Sequence, residues 1–131
     1  MKNTKIDVLM IEAGIKPCKV SIGCDYKTIK YLVNPCLNLL SDVEAIMLEK
    51  DVALLYNKEG ALLGLKGNRK VGETIITGTF FVVGVNNGKV ASLTKEMQEK
   101  YYKRFEKIEK YEDKEVSNAY WDFCFSSLDD D

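Results

Sequence analysis

The twelve residues TIITGTFFVVGV, from Thr74 to Val85, decide what kind of fold this chain adopts. β-Branched and aromatic residues occupy both alternating faces of this stretch, which is typical of a strand covered on both sides. Gly78 and Gly84 are six residues apart and so share one face, where glycine admits a bulge or a close neighbour. The pattern therefore predicts one long strand near the middle of a sheet.

Shorter strand patterns surround this segment. We predict strands over 5–12 and 17–22, joined as a hairpin around Gly14. Strands over 45–48 and 52–56 follow, and then an apolar segment over 61–65. The run Asn86-Asn87-Gly88 predicts a turn after the central strand.

Two helices complete the predicted domain. A short helix over 25–33 begins at Asp25, whose carboxylate can accept amide hydrogens of the first turn, and Pro35 ends it. A long helix over 93–111 has apolar residues at steps of three and four, charges on its other face and Ser92 as N-cap. We therefore expect one α+β domain over 1–112, a mostly antiparallel sheet of five or six strands with one short and one long C-terminal helix.

The composition excludes several kinds of chemistry. The 131 residues contain no histidine, which excludes Ser-His-Asp and Cys-His catalysis and His-ligated zinc. The sequence also offers no paired nucleophile and base. We therefore predict a protein that is not an enzyme and needs no cofactor and no metal.

Charge and cysteine content point to a cytoplasmic protein. The net charge of −1 provides no global attraction for nucleic acid, which disfavours nucleic-acid binding. The apolar run from Val8 to Ile11 is too short for a signal peptide or a membrane span, so we expect no membrane partner. Four cysteines without a CxxC spacing predict reduced thiols, with a zinc site assembled across the fold as the alternative: Cys18, Cys24, Cys36 and Cys124.

A basic loop is the preferred candidate site. Lys66, Asn68, Arg69 and Lys70 lie around a glycine between two apolar segments, and such cations can bind a phosphate or a carboxylate. Asn68 and Arg69 are the leading candidates. A small anionic ligand would need a pocket that also includes two residues of the preceding strand, Tyr56 and Asn57. The alternative is a solubilising hairpin turn in which Arg69 pairs with Glu73.

The C-terminal segment over 113–131 is a second candidate surface. From residue 112 onward the chain has seven carboxylates and a single lysine, and its aromatic residues include Trp121 and Phe123. An acidic, aromatic segment can dock its rings into a partner protein. The alternative is that the rings pack back on the domain and that 126–131 frays.

An ordered set of short motifs resembles a known family. The motifs are VLMIEAG at 8–14, VALLYNKEG at 52–60, Gly64-Leu65 followed by Asn68-Arg69, GTFFVVG at 78–84 and Ser92-Leu93-Thr94. Together they resemble, over 5–105, a domain of unknown function found in small proteins of phages, plasmids and conjugative elements of Gram-positive bacteria. Lys66-Gly67 departs from the proline-containing pair expected there.

The resemblance implies a mobile-element accessory protein and brings no established activity. Small proteins of that kind often block host defences by binding a host component, which is an association and not a property of any residue. We therefore predict a protein-binding module whose partner is a host or mobile-element protein. The first alternative is sequestration of a small molecule or nucleotide, and the second is nucleic-acid binding; the oligomeric state is not predicted.

Overall fold

A computed structural model describes residues 5–33, 43–58, 60–61 and 64–126, without the side chains of 120 and 122–126. These residues form eight strands and three helices. In chain order they are β1 (Lys5–Ile11), β2 (Cys18–Gly23), α1 (Tyr26–Val33), β3 (Val43–Glu49), β4 (Val52–Asn57), β5 (Gly67–Val71), β6 (Thr74–Thr77), β7 (Phe80–Asn86), β8 (Lys89–Ala91), α2 (Lys95–Phe105) and α3 (Asp113–Ser126).

The strands form two antiparallel sheets. The larger has six strands in the order β2-β1-β7-β4-β3, with β8 paired to β7, and the smaller is the β5–β6 hairpin. Every strand pair among the described residues is antiparallel. The predicted α+β class, the antiparallel sheet and the β1–β2 hairpin are confirmed.

Apolar residues of the central strand alternate between two cores, as a strand covered on both faces requires. Phe81 and Val83 face the core that includes α1, whereas Phe80 and Val82 face the core that includes α2. The first core contains Ile6, Val8, Ile22, Ile29, Val33, Ala53, Leu55, Phe81 and Val83. The second contains Leu9, Ile11, Val52, Leu54, Ile76, Phe80, Val82, Leu93, Tyr101 and Phe105.

The predicted twelve-residue strand is broken in two at Gly78. Gly78 has a φ of +75°, a left-handed conformation that favours glycine, and its N–H donates to the carbonyl of Lys66 over 2.9 Å. The chain thereby leaves the small sheet after β6 and enters the large sheet at β7. The expectation that Gly78 and Gly84 share one face of one strand is therefore wrong.

The short helix agrees with the prediction, whereas the boundaries of the long helix differ from those predicted. α1 follows the prediction, and the amide of Thr28 donates to Asp25 Oδ2 over 3.0 Å; Pro35 lies outside the described residues. α2 ends at Phe105 and not at residue 111, and its N-cap is Thr94, whose hydroxyl accepts from Met97 N. Ser92 instead accepts from the amide of Asp7 over 2.8 Å, which joins the chain after β8 to β1.

Two short strands were missed and one predicted segment is different. β5 and β8 were not predicted, whereas Ala61 and Gly64, at either side of the undescribed 62–63, lie in turns. The Asn-Gly turn is confirmed, because Asn87 and Gly88 both have positive φ, at 52° and 76°.

The C-terminal segment begins as a helix that packs on the domain. Val116 of α3 is buried, and its methyl group lies where a side chain at Gly67 would stand, 2.8 Å from an ideal Cβ there. α3 contacts β6. The start of this segment thus packs back on the domain, as in the alternative to partner docking. Residues 127–131 lie outside the described residues. No helix in the described part of the chain is long and apolar enough to cross a membrane.

Candidate functional site

The predicted basic loop is in fact strand β5, with its central residues turned inward. Asn68 and Arg69 are fully buried, whereas Lys66 and Lys70 are exposed. The prediction that Asn68 and Arg69 stand on a presented loop is therefore wrong. The physical reason is that a guanidinium can be buried where every one of its donors finds an acceptor, and the surrounding fold supplies them.

Arg69 makes five hydrogen bonds, as many as a guanidinium has N–H donors. Nε and Nη2 donate to the carbonyl of Phe105 over 3.0 and 2.8 Å. Nη1 donates to Asn68 Oδ1 over 2.7 Å and to the carbonyl of Glu12 over 3.3 Å, and Nη2 also donates to that of Ile15 over 2.8 Å. Arg69 therefore retains no donor for a ligand, and the predicted pairing with Glu73 is replaced by backbone carbonyls.

The acceptors show what this network holds together. Phe105 ends α2, where carbonyls lack an intrahelical partner and a positive charge is favourable. Asn68 Nδ2 donates to the carbonyls of Ile11 and Gly78, over 2.9 Å each. Asn68 and Arg69 thus join the end of β1, the break before β7 and the end of α2. We call this pair and its bonds the Arg69 network, and its evident role is structural.

The carboxylate of Glu109 acts on the buried positive charge of the Arg69 network. Burial lowers the pKa of Arg69 from its ordinary value, and the carboxylate of Glu109 opposes this shift. Glu109 also accepts from the amide of Lys70 over 3.0 Å. Arginine remains protonated in proteins, so the network carries a buried positive charge.

Tyr56 and Asn57, the other two residues of the predicted pocket, lie on β4 of the large sheet. Tyr56 is half-buried against the core that includes α2, and burial followed by the charge of Glu44 raises its pKa. Asn57 is buried at the end of the strand. Arg69 uses its donors within the protein, and a ligand-binding role for Tyr56 and Asn57 stays a prediction.

The aromatic candidates of the C-terminal segment lie on α3. Trp121 is 45% exposed. The side chain of Phe123 lies outside the described residues. A docking role for these two residues stays a prediction.

A surface groove of about 530 Å³ lies between the β1–β2 hairpin and the start of α2. Its lining is Asp7, Lys19, Val20, Ser21, Lys95, Gln98 and Glu99. The lining includes two lysines and two carboxylates, and the hydroxyl of Ser21 donates to Asp7 Oδ1 over 2.6 Å. Sequence patterns did not indicate this groove, because its walls are distant in the chain.

The edge strand β3 is the clearest exposed feature that sequence reasoning missed. Among the described strands it pairs with β4 alone, and Met47 is 54% exposed. The run Ala45 to Leu48 is apolar. β2, at the opposite edge, instead carries the exposed Lys19 after Pro17, and lysine and proline are features that discourage further pairing. β3 thus lies at an edge of the large sheet among the described strands, with Met47 exposed on it.

A polar cluster secures the far end of β3 to α2. Glu49 Oε2 accepts from Lys100 Nζ over 2.7 Å and from the hydroxyl of Tyr101. The bond from Lys100 is the largest cause that lowers the pKa of Glu49, and the bond from Tyr101 is the next. Burial, followed by the bond to Glu49, raises the pKa of Tyr101 to about 12.

Alkaline titration is expected to weaken the fold. Burial and then Glu109 also raise the pKa of Tyr111 to about 12. A pKa raised in the folded state gives stability that is complete below the unfolded value near 10 and is lost as pH rises towards 12. Urea midpoints should therefore fall from about pH 10 upward, and fall less in Tyr101→Phe. An equal fall in Tyr101→Phe and wild type would contradict this assignment.

The sequence matches one family model, Domain of unknown function (DUF3846), over residues 5–106. No curated protein and no solved structure matches the chain significantly. The matched range includes every described strand, α1 and α2, and it contains the whole Arg69 network, whereas α3 lies beyond it. Since the match covers most of the sequence, the chain belongs to the family described as Domain of unknown function (DUF3846).

Proposed function

We propose that this chain is a non-enzymatic, protein-binding accessory protein that acts in the cytoplasm. We further propose that it comes from a phage or another mobile element of Gram-positive bacteria and blocks a host component, such as a defence protein. The mobile-element origin is supported by the ordered motifs over 5–105. Protein binding is supported by the exposed Met47 on β3, which lies at an edge of the large sheet among the described strands.

An exposed edge supports protein binding because its outward N–H and C=O groups form a template for another strand. Soluble proteins usually protect such edges with charges, proline or bulges. Over Val43–Met47 the pairing of β3 with β4 is regular, and the irregularity comes only between Met47 and Glu49. A blocking protein needs only such a surface and no nucleophile or base, so this function also suits a chain without histidine.

Met47→Lys is expected to reduce capture of a host protein about tenfold, as loss of an interface anchor would. The charge also opposes strand pairing at this edge. Wild type and variant would be immobilised and exposed to lysate of a Gram-positive host, and the captured protein would then be titrated against both. Ile15→Lys is the matched control, because Ile15 is 52% and Met47 is 54% exposed.

Equal loss of capture in both variants would show a general effect of charge and would count against β3. Equal retention in both would place the binding surface elsewhere. Capture of no host protein by wild type would contradict the proposed function.

Sequestration of a small molecule or nucleotide is the second candidate, and the groove beside α2 favours it. Its volume of about 530 Å³ lies in the range of small-ligand sites. A small molecule that co-purifies with the folded chain and is identified by mass spectrometry would favour this function over protein binding.

A further inference from the structure

Resting on the proposed function, we propose that the chain binds an acidic segment of its partner protein through a cluster of cations around the end of α2. We call this cluster the basic surface. It consists of six exposed side chains from three separate parts of the chain: Lys16, Lys70, Lys103, Arg104, Lys107 and Lys110. The partner is thus defined by chemistry: a segment rich in aspartate and glutamate that also carries an apolar side chain.

Folding brings two distant lysines to the end of α2. Lys16, in the loop between β1 and β2, has its Nζ 3.9 Å from Glu106 Oε2. The amide of Lys70, on β5, donates to Glu109 Oε1 over 3.0 Å. Both carboxylates lie in the connection directly after α2, so the two lysines lie beside the cations of 103–110. The Arg69 network holds these parts of the chain together.

The carboxylates of this region already have partners within the protein. Residues 103–110 contain four cations and only two carboxylates, Glu106 and Glu109. Glu106 is paired with Lys16, and Glu109 acts on the buried charge of the Arg69 network. Among the described residues, the other five cations of the basic surface form no salt bridge. Their charges are therefore available to an anionic partner.

The first half of α2 differs from its end. Two lysines and two glutamates balance there, and Lys100 is bonded to Glu49 over 2.7 Å. The negative end of the helix dipole favours cations in the last turn, but it does not account for those of the following connection or of β5. The basic surface is thus a local excess of positive charge on a chain whose net charge is −1, and such a patch attracts anionic partners.

The surface suits an acidic protein segment better than a nucleic acid. Glu106 and Glu109 interrupt the row of cations and would repel a continuous phosphate backbone. Between them lies Ile108, an apolar side chain that is 36% exposed. Protein interfaces combine an apolar anchor with charged groups at the rim. We therefore expect Ile108 to contact an apolar residue of the acidic segment.

The test is a titration of the full chain with a fluorescent polyglutamate peptide that carries leucines at intervals. The variant is Lys107→Glu with Lys110→Glu, and the matched control is Lys50→Glu with Lys89→Glu, two exposed lysines in the β3–β4 turn and on β8. We expect an affinity about tenfold lower in the first variant alone, with a smaller dependence on salt. Both variants should keep the urea midpoint of the wild type, because the changed side chains are exposed.

Two further probes define the partner. Ile108→Ser should lower the affinity for the leucine-bearing peptide and leave that for plain polyglutamate unchanged. A DNA duplex should bind the wild type more weakly than the leucine-bearing peptide does. Tighter binding of the duplex, lost in the variant of Lys107 and Lys110, would overturn the inference and make this surface a nucleic-acid site.

The remaining outcomes separate this inference from the proposed function. Equal loss of peptide binding in both lysine pairs would show a general effect of charge and overturn the basic surface as the site. Absence of peptide binding, or capture of a host protein that the variant of Lys107 and Lys110 leaves unchanged, would overturn the inference while leaving protein binding intact. Absence of both peptide binding and a captured host protein would overturn both.

Discussion

Arg69→Met is expected to lower the free energy of unfolding by about 3–5 kcal/mol, a large fraction of the stability of an ordinary domain. The methionine fills part of the volume but donates no hydrogen bond. The carbonyl of Phe105 and the side-chain oxygen of Asn68 would then lose their donor in a buried site. Each buried acceptor without a partner costs about 1–3 kcal/mol, and the carbonyls of Glu12 and Ile15 add to this.

Urea unfolding would measure the effect, and two further variants define its cause. Lys70→Met removes the neighbouring exposed cation and should change stability by no more than about 0.5 kcal/mol. Arg69→Lys keeps the charge but not the planar fork of donors, so its loss should be intermediate. A loss in Arg69→Met no larger than that in Lys70→Met would contradict the structural role of the Arg69 network.

Gly84→Ala is expected to cost about 3 kcal/mol, at the upper end of the usual range for overpacking. A Cβ at Gly84 would stand 2.4 Å from the carbonyl oxygen of Ser92 and 3.1 Å from that of Ala91. Both obstacles are backbone atoms, so no side-chain rotation can relieve them. The chain after β8 would have to move away from β7, and the register pair of Gly84 with Ala91 would open.

Hydrogen exchange distinguishes this steric effect from simple strain. The Leu93 amide donates to the carbonyl of Asp7, and its protection should fall in Gly84→Ala as the chain after β8 is displaced. Gly88→Ala is the control, because Gly88 has a φ of +76° but an added Cβ meets nothing within 4 Å. That variant should cost about 1–2 kcal/mol from backbone conformation alone and leave Leu93 protected.

Most strands and the short helix could be predicted because their signals are local. The hairpin of β1 and β2, the pair β3 and β4 and the cap of α1 at Asp25 follow from side-chain period, glycine position and one carboxylate. The boundaries of α2 were predicted less well. Its periodic pattern continues past Phe105, but the carbonyl of that residue is bonded to Arg69 from a distant strand.

The candidate site was predicted less well than the fold. Polar residues beside a glycine are typical of an exposed turn, and nothing local distinguishes a solvated Asn68-Arg69 pair from a buried one. The difference depends on acceptors at residues 11, 12, 15, 78 and 105, which only folding brings together. The edge strand β3 was missed for a related reason, since periodicity does not give strand order.

The sequence by itself determined the α+β class, the antiparallel hairpins and a central strand with two apolar faces, because these follow from the spacing of side chains along a few consecutive residues. It also determined the absence of histidine chemistry. Only the tertiary structure decided that Gly78 divides the long strand, that Arg69 is an internal connection and that β3 lies at an edge of the large sheet among the described strands. Each of these features depends on contacts with residues that are distant in the sequence, either as hydrogen-bond acceptors or as neighbouring strands. Only folding brings such residues together.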